Sequence, residues 1–74
     1  MTITEAVQRV LKNAQRPMPI TDIYTTIVDQ GLFTFGAKDP KAVLSRTVRM
    51  KSTANSKEPN PLFRRVDQNT YELI

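Results

Sequence analysis

The chain has 74 residues, enough for one domain around one small core, with an ordinary apolar fraction of 39%. It has no cysteine and no histidine, which removes disulfides and the common zinc patterns and leaves only carboxylates for hard ions. The formal charge is +4, and all of the excess lies after Ala37, where Lys38, Lys41, Arg46, Arg49, Lys51, Lys57, Arg64 and Arg65 face only Asp39, Glu58, Asp67 and Glu72. That asymmetry suits a polyanionic partner, the alternative being that the lysines and arginines simply keep a small protein soluble.

Taken in order, Thr2 and Glu5 have the spacing of a capping box, with Thr4 as an alternative cap. Ile3, Ala6, Val7, Val10, Leu11 and Ala14 then recur at the helical period, so a first helix is predicted. It ends near Gln15-Arg16, because Pro17 turns its predecessor away from helix. Met18-Pro19-Ile20 reads as an extended segment at a sheet edge, where the missing proline donor is tolerated. Thr21 is the expected cap of a second helix, with Asp22 in its first turn, Ile20 stapled on from outside, and Ile23, Tyr24, Ile27 and Val28 as its buried stripe. Gly31 falls where a left-handed terminating residue is wanted. In the connection Leu32–Lys38, Phe33 and Phe35 are two apart and point the same way if extended. They are expected to plug the core, the alternative being an exposed aromatic pair for stacking or partner contact.

Asp39 and Pro40 open a third helix as N-cap and first helical residue. This helix is predicted over 39–52, with Val43, Leu44, Thr47 and Val48 on its buried side and Lys41, Ser45, Arg46, Arg49 and Ser52 on its exposed side. Residues 52–61 lack periodicity and contain two prolines, so they read as a polar loop, mobile at its tip. The segments 62–66 and 70–74 read as strands joined through Asp67-Gln68-Asn69 into a hairpin. Phe63, Val66, Tyr71 and Leu73 are expected on its inner side, with a bulge or an early strand end between Phe63 and Val66.

The expected fold is therefore α+β and mainly α, a single domain over 1–74. Three helices, a short strand after the first, and a C-terminal hairpin follow the winged helix-turn-helix plan, with residues 18–20 joining the hairpin as a third strand. At this point the chain resembles the HARE-HTH domain family. The resemblance is carried by Glu5-Ala6-Val7, Val10-Leu11, Pro17-Met18-Pro19-Ile20, Ile23 and Gly31-Leu32. It continues through Asp39-Pro40, Leu44, Leu62-Phe63-Arg64-Arg65-Val66 and Tyr71-Glu72-Leu73. It covers nearly the whole chain, mostly at core and turn positions. It implies a winged helix-turn-helix of the kind joined as an accessory module to nucleases or chromatin proteins and proposed to engage DNA. A related domain in the bacterial RNA polymerase delta subunit implies that the fold also serves protein contacts.

On this plan the helix 39–52 enters the major groove and the hairpin 62–74 is the wing. The expected DNA-binding residues are Lys41, Ser45, Arg46, Arg49 and Ser52 on the helix, with Lys57, Arg64 and Arg65 from loop and wing. Arginine there can pair with guanine, while serine and lysine more often meet phosphate. The expected partner is double-stranded DNA, in a targeting or regulatory role, with a protein partner or a fused effector domain as further candidates. The alternative is a protein–protein interaction module that does not contact DNA. No catalytic constellation, metal site or cofactor site can be assembled from these residues, so an enzyme is not expected. No run is long enough for a membrane span, and the expected setting is cytoplasmic or nucleoid, or the nucleus in a eukaryote. No heptad pattern extends far enough to predict an oligomer.

Overall fold

A computed structural model describes residues 1–74. Helix α1 runs Ile3–Ala14 and buries Ala6, Val7, Val10 and Leu11. Its capping box is complete: the Glu5 N–H donates to Thr2 Oγ1 at 3.1 Å, and the Thr2 N–H donates to Glu5 Oε1 at 2.9 Å. The helix stops at Gln15, which turns left-handed at φ 52° while its N–H still reaches the Leu11 carbonyl. Two residues later Pro17 prevents any resumption.

Strand β1 is only Met18–Pro19 and lies at the edge of a three-stranded antiparallel sheet of order β1-β3-β2, as its proline predicts. Helix α2, Ile20–Asp29, starts one residue before the expected Thr21 cap. Pro19 holds the N-cap position and has no side-chain acceptor to offer, while the Ile20 N–H is taken by the Asn69 carbonyl of the hairpin turn at 2.7 Å. The sheet, not a hydroxyl, anchors this helix start. Ile20 is consequently a buried residue of the helix itself, not an external staple. The buried line is Ile20, Ile23 and Ile27; Tyr24 is half-buried, and Val28, expected inside, is exposed because it lies one further position round the helix.

The α2 terminus is a Schellman motif. Gly31 has φ 62°, its N–H donates to the Val28 carbonyl, and the Leu32 N–H donates to the Ile27 carbonyl. Leu32 then packs on the core.

Helix α3, Pro40–Met50, has the expected start: Asp39 accepts from the Ala42 N–H at 3.2 Å and Pro40 is the first helical residue. Leu44 and Val48 are fully buried, Thr47 is half-buried, and Val43 is exposed, contrary to expectation. The core is too small to cover a stripe wider than the Leu44–Val48 line.

Strands β2 (Phe63–Asp67) and β3 (Thr70–Leu73) form the hairpin, with Asn69 left-handed at φ 57° in its turn. The register shifts between Arg65 and Asp67, so the bulge falls on Val66. Phe63 and Tyr71 point into the core, whereas Val66 is exposed and Leu73 half-buried. The bulge lies at Val66 and not before it, so the alternation running from Phe63 still turns Val66 outward.

Two consequences are measurable. Glu5 is held below the ordinary glutamate range, first by the Thr2 backbone N–H and then by the Thr2 hydroxyl. With the folded pKa depressed, this stabilisation is present above the ordinary glutamate value and is lost as pH falls through the folded one. Glu5→Gln should therefore flatten that acid limb of a Tm-against-pH curve and leave neutral-pH cooperativity intact. Gly31→Ala places a Cβ in open space, with nothing within 4 Å, yet forces alanine to φ 62°. Urea unfolding should register a loss of about 1 kcal/mol, from conformation and not from a clash.

Candidate nucleic-acid interface

The outward side of α3 follows from its two core anchors. Relative to the Leu44–Val48 line, Arg46 lies on the opposite side and Ala42, Val43, Arg49 and Met50 lie about 120–140° away. All five are exposed. Arg46 and Arg49 form no ion pair, so both guanidinium groups are available. Ser45 is half-buried on one flank. Lys41 is exposed on the same flank and leans towards α2, its Nζ 5.7 Å from the centre of the Tyr24 ring.

Ser52 does not belong to the outward row, because it is completely buried. The helix ends at Met50, and Ser52 has become the joint between α3 and the wing. Its Oγ donates to the Arg49 carbonyl at 2.8 Å and accepts from the Ala54 N–H at 3.1 Å. Its backbone forms a parallel bridge with Phe63. Around it, the Leu62 N–H donates to the Lys51 carbonyl, the Thr53 N–H to the Phe63 carbonyl, and the Arg65 N–H to Thr53 Oγ1. The segment 51–53 thus covers the outer edge of β2 and makes the end of α3 and the root of the wing one hydrogen-bonded unit.

The loop 52–61 is tied back along its length. Asn55 Nδ2 donates to the Met50 carbonyl, and Asn55 Oδ1 accepts from the Lys57 N–H. Glu58 accepts from the Asn60 N–H and sits 3.8 Å from Lys51 Nζ. Lys57 itself is exposed and has no acidic partner. On the wing, both Arg64 and Arg65 are exposed, but they differ. Arg64 reaches Glu72 across the hairpin at 3.1 Å, while Arg65 makes no ion pair. Arg46, Arg49, Lys57 and Arg65 are therefore the unpaired cations among the expected site residues, with Lys41 committed in part to Tyr24.

Phe33 and Phe35 follow the core expectation and are half-buried. They pack on the core, and their rings meet edge to face at 5.0 Å, with Tyr24 tilted against Phe35 at 5.4 Å. Their outer sides, with Tyr24, Val28, Gly31 and Thr34, line a shallow cavity. Elsewhere, no three acidic side chains approach one another closely enough to hold a metal ion, and no helix is long and apolar enough to cross a membrane.

Three helices with the third turned outward, and a β-hairpin completed by a strand from between the first two, define a winged helix-turn-helix protein. The chain belongs to the HARE-HTH family, described as the ASXL, restriction endonuclease HTH domain, whose model matches residues 1–73. No curated protein and no solved structure matches it. Helix-turn-helix families generally bind DNA, and this one is not a catalytic family.

The exposed apolar residues Ala42, Val43 and Met50 are absent from the expected site. A signal for them existed in the sequence: Val43 and Met50 are seven apart and share a face with Arg46. The predicted width of the buried stripe concealed it. The Ser52 joint is directly testable. Ser52→Ala removes both hydrogen bonds of the buried hydroxyl, to the Arg49 carbonyl and from the Ala54 N–H, and should cost about 1 kcal/mol in chemical unfolding. The accompanying NMR shifts should run from the end of α3 into β2.

Proposed function

We propose that the domain binds double-stranded DNA, with α3 in the major groove and the hairpin as wing, as a targeting or regulatory module acting as one unit over residues 1–74. The observation that carries this reading is the pair of unpaired, outward arginines, Arg46 and Arg49, on a helix whose end is hydrogen-bonded to a wing bearing Arg65. Arg46, in the middle of the outward face, is suited to paired hydrogen bonds with guanine. Arg49, Lys57 and Arg65 are suited to phosphates on either side, with Lys41 and Ser45 supporting from the α2 flank. Arg64 contributes less, since its charge is shared with Glu72. Ser52 contributes by holding helix and wing together, not by touching DNA.

The test is an NMR titration of the labelled domain with a short mixed-sequence duplex at low and physiological salt. Shifts should cluster on the outer face of α3, near Lys57 and on the wing. Roughly four phosphate contacts would give a slope of log K against log salt of roughly −4. Arg46→Ala combined with Arg49→Ala should weaken binding at least about tenfold, whereas Arg16→Ala, on the far side of the sequence, should leave it unchanged. Absence of shifts even at low salt would reject the DNA reading.

A second reading is a protein-interaction module, favoured by the half-exposed aromatic cavity of Tyr24, Phe33 and Phe35 beside the exposed Val28. Binding of that kind would respond weakly to salt and would be lost with Phe35→Ala while surviving Arg46→Ala.

A further inference from the structure

The DNA interface proposed above accounts for the cations of α3 but not for the apolar residues standing among them. Six large hydrophobic residues of the chain are exposed, and two of them, Val43 and Met50, are on the outward face of this one helix. Ala42 is exposed beside them. Single exposed apolar residues need no explanation. Here, however, Val43, Arg46 and Met50 fall at i, i+3 and i+7, on one ridge with the unpaired arginine between the two apolar side chains. A surface built only to meet phosphates has no use for that order.

We infer that the first two turns of α3 read a thymine next to a guanine, with Val43 against the thymine C5-methyl group and Arg46 on the guanine edge. Several observations support this, and the inference rests on the DNA reading. In helix-turn-helix docking, the N-terminal residues of the recognition helix approach the bases, which selects Val43 over Met50. Val43 and Arg46 are separated by about 4.5 Å along the helix, close to the spacing of about 3.4 Å between successive base pairs. The two side chains therefore address neighbouring pairs. The valine is stiff, since its branched Cβ leaves essentially one side-chain conformation in a helix. Its backbone is fixed from both sides: Asp39 caps the turn before it, and Thr47 Oγ1 donates to the Val43 carbonyl at 2.9 Å. That bond also uses the Thr47 hydroxyl's proton within the helix. Among the four bases only thymine offers an apolar group in the major groove, so an apolar side chain there discriminates thymine from cytosine by contact alone.

The experiment has two stages. The domain is first used to select from duplexes with a randomised centre, and the enriched duplex is then remade with deoxyuridine in place of the thymine, which removes only the methyl group. Enrichment of thymine beside guanine is expected, followed by about a fourfold loss of affinity on the change to deoxyuridine. Val43→Ala, at an exposed site and checked for folding by its NMR spectrum, should bind the two duplexes nearly alike. Lys57→Ala should weaken both by the same factor. The inference is overturned if the wild-type domain does not distinguish thymine from deoxyuridine, or if Val43→Ala discriminates as well as wild type. Binding without enrichment of thymine beside guanine also overturns it and leaves the DNA reading standing. Failure to bind any duplex removes both.

Discussion

The joint between Ser52 and Phe63 is the contact on which the rest of the architecture depends. Phe63 is the largest fully buried side chain, and Ser52 is the buried polar residue beside it. One brings the root of the hairpin into the core; the other closes the end of α3 by bonding the Arg49 carbonyl. A buried hydroxyl is tolerable only when its hydrogen bonds are made, and here it both donates and accepts. The result is a helix and a wing that cannot shift relative to each other without breaking buried hydrogen bonds. An isolated hairpin of this length would not be stable in water. Its stability comes from Phe63 and Tyr71 in the core, from β1 on one edge and from residues 51–53 on the other.

That covering of both sheet edges also bears on behaviour in solution. The β1 edge is short and contains proline, and the outer edge of β2 has its Phe63 and Arg65 backbone groups engaged by residues 51–53. Little unpaired backbone is left on which a second chain could add as a strand. What remains exposed is side chains, among them those on the outward face of α3, on the wing and around the aromatic cavity beside α2.

Electrostatics divides the basic half of the chain into two groups. Lys51 and Arg64 have acidic neighbours in Glu58 and Glu72, exposed or half-exposed pairs that add little to stability and lower the local positive potential. Arg46, Arg49, Lys57 and Arg65 have no such neighbours. A row of positive charge read from sequence thus resolves into a smaller set able to meet a polyanion without first breaking an ion pair. On the outward face of α3, Arg46 and Arg49 stand beside the exposed Ala42, Val43 and Met50.

Local chemistry made much of this protein legible from the residues alone. The capping box at Thr2, the Asp39-Pro40 start, the glycine stop at Gly31, the edge strand at Pro19 and the bulged hairpin each follow from steric or hydrogen-bonding needs of a few adjacent residues. The same holds for Arg46 and Arg49 as outward cations, because Leu44 and Val48 fix the opposite face. Five features needed the tertiary structure. Val28 and Val43 were expected inside because periodicity tells direction but not how much core there is to cover them, and Val66 because a bulge was expected before it and not at it. The start of α2 moved from Thr21 to Ile20 because its first N–H is satisfied by Asn69, almost fifty residues away in sequence. Ser52 left the outward row because the helix stops two residues earlier and the chain turns inward against Phe63. For the α2 start and for Ser52 the deciding partner is distant along the chain, and no spacing between neighbours records it.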